Sequence, residues 1–208
     1  MIVGLVLHGD APGERELRLL DACDVLVCAD GGANGLVAAG RIPDWIVGDF
    51  DSIDPAVLEK CRGANLVELP RRKDFTDGEA ALKKALELSP RRLLIAGAHG
   101  GSTAHFLANV ALLRRAQASG VETLMVGAGE TLRFVPAPGR LPLPPRGARF
   151  HLLPEAGGAT VTLQGTAYDI ERQPLAWGSS RGLSNRVERD GALLSVHEGV
   201  VLLVAEGP

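Results

Sequence analysis

The chain is poor in cysteine, poor in aromatics and free of long apolar runs. Its 208 residues include three cysteines, Cys23, Cys28 and Cys61, with no CxxC pair. An odd count without paired spacing argues against a disulfide framework and a structural zinc site, and suits a reducing compartment. Neither sign of charge dominates: 22 Lys and Arg face 25 Asp and Glu, a net charge of −3. Nothing in that balance asks for a nucleic-acid or anionic-membrane partner. No apolar run has the length needed to span a bilayer. The opening Met1-Ile2-Val3-Gly4-Leu5-Val6-Leu7 lacks the basic start and length of a secretory signal. A cytoplasmic protein is the expectation, with no nucleic acid and no membrane as partner. Two nucleotide-binding fingerprints are also missing, the GxxxxGK[ST] loop and GxGxxG.

What is present is enough for a core. Hydrophobic residues make up 46%, and the length suits one large domain or two modest ones. Through residue 128, short apolar runs at 2–7, 25–29, 45–47, 66–69, 93–96 and 123–126 alternate with amphipathic stretches. These lie near 14–21, 33–39, 55–61, 77–88 and 103–118. Alternating strands and helices predict an α/β domain over 1–128: an open, largely parallel sheet with helices on both faces. Three helix starts carry chemical signatures. Asp54-Pro55 is a cap followed by proline at the first position, Thr76-Asp77-Gly78-Glu79 fits a capping box, and Ser102 caps the stretch after Gly100-Gly101. After residue 129 the composition changes. The proline-rich 136–145 cannot be helical. The runs at 149–153, 160–163, 168–170, 192–196 and 200–204 are separated by Gly, Pro and Asp. They predict a smaller antiparallel β domain over 129–208.

Five polar loops follow these runs. In an open α/β sheet such loops meet in one crevice outside the strand ends. In Gly48-Asp49-Phe50-Asp51-Ser52, two carboxylates stand two residues apart. On an extended segment they share a side and offer oxygen ligands to a divalent cation. The same two acids also read as ordinary loop residues before Asp54-Pro55. Asp30-Gly31-Gly32-Ala33-Asn34 allows close backbone approach to an anion, or forms a tight turn with an Asp cap. Lys73-Asp74-Phe75-Thr76-Asp77 offers a lysine to a phosphate and two more carboxylates, on a loop that also caps a helix. Gly97-Ala98-His99-Gly100-Gly101-Ser102-Thr103-Ala104-His105 has the composition of a phosphate cradle, with His105 either functional or packed. Trp177-Gly178-Ser179-Ser180-Arg181-Gly182-Leu183-Ser184-Asn185 suits a small polar organic ligand, or is a glycine-rich β loop.

Taken as a set, in this order and spacing, the loops resemble the thiamine pyrophosphokinase family. The resemblance runs through Asp30–Asn34, Pro43-Asp44, Gly48–Ser52, Lys73–Asp77, Gly97-Ala98, Gly100-Gly101, His105 and Leu107-Ala108-Asn109. It continues in Tyr168-Asp169-Ile170, Gly178-Ser179-Ser180 and Gly182-Leu183-Ser184-Asn185, and so covers nearly the whole chain. It implies a homodimer with active sites between subunits, and an ATP-dependent diphosphotransferase. The diphosphoryl group of ATP passes to the thiamine hydroxyl and AMP is released. By the same resemblance Asp49, Asp51 and Asp77 hold Mg²⁺ and, with Asp74, form the catalytic acids. Asp30, Asn34, Lys73 and Thr76 lie around the nucleotide or its phosphates, as do Gly100, Gly101 and Ser102. Tyr168, Ser184 and Asn185 lie near thiamine. The positive ring of thiamine is attracted to an aromatic face by ~0.5–2 kcal/mol, and with few aromatics available Trp177 joins Tyr168 on chemical grounds.

At the fourth loop the family pattern is GGRxDH, where this chain has Gly100-Gly101-Ser102-Thr103-Ala104-His105. Serine stands at the arginine position and alanine at the aspartate. Serine cannot supply a bidentate positive contact to phosphate, which leaves Arg71, Arg72 and Arg181 as cations able to take it over. Two further readings stay open. One is a diphosphokinase for another alcohol, such as a pterin. The other is a thiamine-binding regulatory homologue.

Overall fold

The computed structural model describes residues 1–207, which form two compact units divided between Ala128 and Gly129. The first unit is an α/β layer structure. Its elements alternate as β1 (Ile2–Val6), α1 (Glu14–Leu20), β2 (Val25–Ala29), α2 (Gly32–Ala38), β3 (Trp45–Gly48) and α3 (Pro55–Lys60). They continue as β4 (Asn65–Glu68), α4 (Asp77–Glu87), β5 (Arg92–Ala96), α5 (Thr103–Ala118) and β6 (Glu122–Gly127). The strands pair in the order β4-β3-β2-β1-β5-β6, every pair parallel. The central strands are buried along almost their full length, as helices on both sheet faces require. One core cluster joins Val6, Cys28, Ile46, Leu94 and Val126 to Leu20 and Leu36 of the helices.

The predicted caps form. Asp54 accepts from the Ala56 N–H at 2.7 Å with Pro55 at the first helical position, Thr76 accepts from Glu79, and Ser102 accepts from His105. Glu79 does not complete the box by reaching back. It pairs instead with Arg115 of α5 at 2.5 Å. The three cysteines are free. Burial pushes the Cys23 thiol up to about 11 and raises Cys28 and Cys61 as well, so none is a ready thiolate. Among the described residues no helix is long and apolar enough to cross a membrane.

The second unit is antiparallel. It contains β7 (Glu130–Pro136), β8 (Gly139–Pro142), β9 (Arg149–Gln164), β10 (Ile170–Leu175), β11 (Asn185–Arg186) and β12 (Leu193–Glu206). The order is β10-β9-β12-β7, with β8 on β12 and β11 on β9. Alternate residues of β9 and β12 face one core of Phe150, Leu152, Val161, Leu163, Leu194, Val196, Val201 and Leu203.

Here the structure departs from the sequence pattern. The runs at 149–153 and 160–163 are one strand, as are 192–196 and 200–204. The glycines that read as breaks are bends within continuous strands. The β9–β12 register shifts beside Gly199, whose φ is 73°. A Cβ at Gly199 would stand 2.1 Å from the Gly158 carbonyl oxygen. Gly199→Ala therefore meets both a strained conformation and a backbone clash, and should cost about 2 kcal/mol or more. Urea unfolding measures this, and an unchanged midpoint would refute the account.

Candidate active site

Each polar loop of the first unit follows the C-terminal end of a parallel strand. The chain runs from β1 outward through β2, β3 and β4, then returns to β5 on the other side of β1. Strand order reverses at β1/β5, and a crevice outside the strand ends is expected there. A cleft of about 420 Å³ occupies that position. Leu7, His8 and Gly9 line it after β1, Asp30 after β2, and Ser52 after β3. Arg71, Lys73, Thr76 and Asp77 follow β4, and Gly100, Gly101, His105 and Asn109 come from the β5 loop and α5. Gly97 closes the β5 loop onto β1. Its φ is 67°, and a Cβ there would lie 2.3 Å from the Leu7 carbonyl oxygen.

The carboxylates of Asp30, Asp49 and Asp51 converge, each offering an oxygen within 4.8 Å of the others. Extended alternation does not bring Asp49 and Asp51 together. Phe50 between them is left-handed, with φ 58°, and the Asp51 N–H points toward Asp49 Oδ1 at 3.4 Å. A turn gathers the pair. Asp30 reaches it because β2 lies beside β3, where the Asp30 N–H bonds the Val47 carbonyl at 3.0 Å. Asp30 is only 3% exposed. Its Oδ2 accepts from the Ser52 N–H at 3.2 Å, and its Oδ1 has no hydrogen-bond partner. Burial pushes the Asp30 carboxyl above its usual range, and the charges of Asp77, Asp51 and Asp49 add to this against the Ser52 N–H. A buried carboxylate oxygen without a partner is costly unless a cation meets it. The all-oxygen donor set fits a hard divalent ion.

Lys73 joins the other acids. Its Nζ lies 2.8 Å from Asp49 Oδ2 and 3.1 Å from Asp77 Oδ1, with the Lys73 and Asp49 side chains each 8% exposed. The lysine holds the Asp49 carboxyl below the usual carboxylate range, and Asp49 in turn raises Lys73. Asp77 thus meets the cluster through Lys73. Asn34 spends its amide on the loop 49–54, donating to Ser52 O and accepting from the Asp54 N–H, both at 3.0 Å. It fixes the acidic turn to α2. Asp74 is exposed and lies outside the cleft lining. The Ser102 hydroxyl is occupied at the start of α5, accepting from the His105 N–H and bonding His105 Nδ1 at 2.8 Å.

In the second unit the proposed thiamine residues divide. Tyr168 and Asn185 line a cavity of about 450 Å³ with Leu152, Asp169 and Arg181. Trp177 lies with Leu153, Pro154 and Leu183 in another groove. Leu152 and Leu153 are consecutive in β9 and point to opposite faces, which separates the two aromatics. Ser184 is exposed, and its N–H donates to His151 Nδ1. Asn185 is buried and consumed internally. It accepts from the Tyr168 N–H at 3.2 Å and donates to Tyr168 O at 3.1 Å, so it holds Tyr168 in place.

Leu7, His8 and Gly9 carry no motif that marks them for the cleft, whereas Asn109, within the family resemblance, donates its amide to Ala98 O at 2.9 Å. The available signal for the first group is topological: β1 is central, so the residues after it face the crevice.

Comparison with known proteins bears on the family and the fold. The family described as "Thiamin pyrophosphokinase, catalytic domain" matches residues 17–125. A thiamine pyrophosphokinase of Bacillus subtilis (strain 168) is 28% identical over 181 residues, 84% of each chain. A crystal structure of thiamin pyrophosphokinase from Geobacillus thermodenitrificans, 26% identical, superposes with a TM-score of 0.84 over 100% of this chain and 98% of that one. That of the Bacillus subtilis enzyme gives 0.89 over the whole of both chains at 23% identity, a likeness of fold. With that match, a cleft at the strand-order reversal and an acidic cluster beside it, the chain belongs to the thiamin pyrophosphokinase family, transferases that use ATP.

Proposed function

We propose that this chain moves the diphosphoryl group of ATP to the hydroxyl of thiamine and releases AMP. The observation that carries the reading is the meeting of Asp30, Asp49 and Asp51, with the buried Oδ1 of Asp30 left over for a cation. Diphosphoryl transfer is chiefly positioning and charge neutralisation, and this cleft has the parts for both. Asp30, Asp49 and Asp51 are the residues to hold Mg²⁺. When bound, that ion supplies neutralisation and polarisation of phosphate oxygens. Lys73 bridges Asp49 and Asp77 and fixes both, and Asn34 and Ser52 brace the turn that carries Asp49 and Asp51. Backbone N–H groups of Gly100 and Gly101 suit phosphate approach. For thiamine, the cavity of Tyr168 offers an aromatic face attractive to a cation, beside an Asp169 carboxylate held by Thr166 and Arg189. Trp177, in its separate groove, is not needed for that pocket. The reading includes a homodimer, which sedimentation of the purified chain checks.

The decisive experiment supplies Mg-ATP and thiamine and quantifies products. Equal amounts of AMP and thiamine diphosphate are expected. AMP only with another alcohol, such as a pterin, would overturn the substrate assignment, and thiamine binding without turnover would overturn the enzyme.

A further inference from the structure

The cleft is short of free positive charge. Asp30 and Asp77 line it, Asp49 and Asp51 meet Asp30 outside the lining, and Lys73 is already held between Asp49 and Asp77. A polyphosphate chain adds several more negative charges, and one divalent ion neutralises only two. Ser102 offers no help, since its hydroxyl is engaged with His105. One more cation lines the cleft: Arg71, two residues before Lys73 on the loop after β4. Its side chain is exposed and has no ion-pair or hydrogen-bond partner among the described residues. The neighbouring Arg72 is not part of the lining, and Arg181 lines the cavity in the second unit.

We propose that Arg71 is the polyphosphate clamp of this enzyme, its guanidinium fork binding phosphate oxygens of ATP in the cleft. The proposal rests on the reading of that cleft as the ATP site. A guanidinium stays charged at any working pH and presents parallel N–H donors that match two phosphate oxygens. An unpaired arginine need not break an existing ion pair to do so, unlike Lys73.

The test uses the full chain with Arg71→Ala, Arg71→Lys and, as control, Arg72→Ala. Binding of inorganic tripolyphosphate with Mg²⁺ is measured by calorimetry, and AMP formation by steady-state kinetics. Arg71→Ala should weaken tripolyphosphate binding and lower kcat/KM for ATP by about tenfold to a hundredfold. Its KM for thiamine and its melting temperature should not change. Arg71→Lys should recover only part of the loss, and Arg72→Ala should match the parent. Equal tripolyphosphate affinity in the parent and Arg71→Ala overturns the clamp, as does a parent chain that does not bind tripolyphosphate. A parent that fails to turn over thiamine, while Arg71→Ala still loses tripolyphosphate, overturns the functional reading and leaves the clamp standing.

Discussion

Asp30→Asn should lower AMP formation by about a thousandfold or more while the melting temperature stays level or rises. The two halves of this expectation have one cause. Asp30 is buried, repelled by Asp77, Asp51 and Asp49, and keeps Oδ1 without a partner. In the folded chain alone, its charge is a liability. Asparagine preserves the shape, and its carbonyl can still accept from the Ser52 N–H. What it removes is the negative charge that a divalent ion would meet. Added Mg²⁺ should raise the melting temperature of the parent by mass action, and that rise should vanish in the variant. The measurements are AMP release and thermal denaturation with and without Mg²⁺. Parental turnover in Asp30→Asn would remove Asp30 from the metal site. A collapse in stability would show that its role is to hold the loops.

Lys73→Met should separate metal affinity from turnover. Lys73 stands between Asp49 and Asp77 at 2.8 and 3.1 Å. Without it, neighbouring carboxylates lose their internal counter-ion and compete more strongly for any other cation. Mg²⁺ should bind more tightly to the variant. Turnover should nevertheless fall by about a hundredfold, because Asp49 and Asp77 are no longer fixed for the transition state. Calorimetric titration with Mg²⁺ and steady-state kinetics read the two effects. A variant that loses Mg²⁺ affinity would mean that Lys73 organises the metal site instead of competing with it.

Much of the first unit is legible in the sequence because its signals are local. Asp54, Thr76 and Ser102 each mark a helix start with a side chain that bonds two or three residues onward, and the strands between are short apolar runs. The second unit is less legible. Gly158 and Gly199 have the composition of turns, yet they lie inside β9 and β12, with Gly199 opposite Ala159, and only the pairing decides between the two. β7 escapes notice because its burial does not alternate cleanly. The site divides in the same way. The acidic pair Asp49/Asp51 stands out in one line of sequence. Asp30 instead looks like part of a phosphate turn, and what brings it to the pair is the pairing of β2 with β3. Asn34 and Asn185 read as ligand contacts because amides are versatile. Their bonds go to Ser52 and Asp54, and to Tyr168.

The place of β12 has a consequence for synthesis. This strand pairs with β7, β8 and β9, so three strands made earlier wait for one made after them. The first unit has its last strand by Gly127 and can close while the ribosome is still working. The second holds the edges of β7 and β9 unpaired until residues 193–206 emerge. During that interval the nascent chain offers open strand edges to its neighbours, and this is where a folding assistant, or crowding on a polysome, would leave its mark.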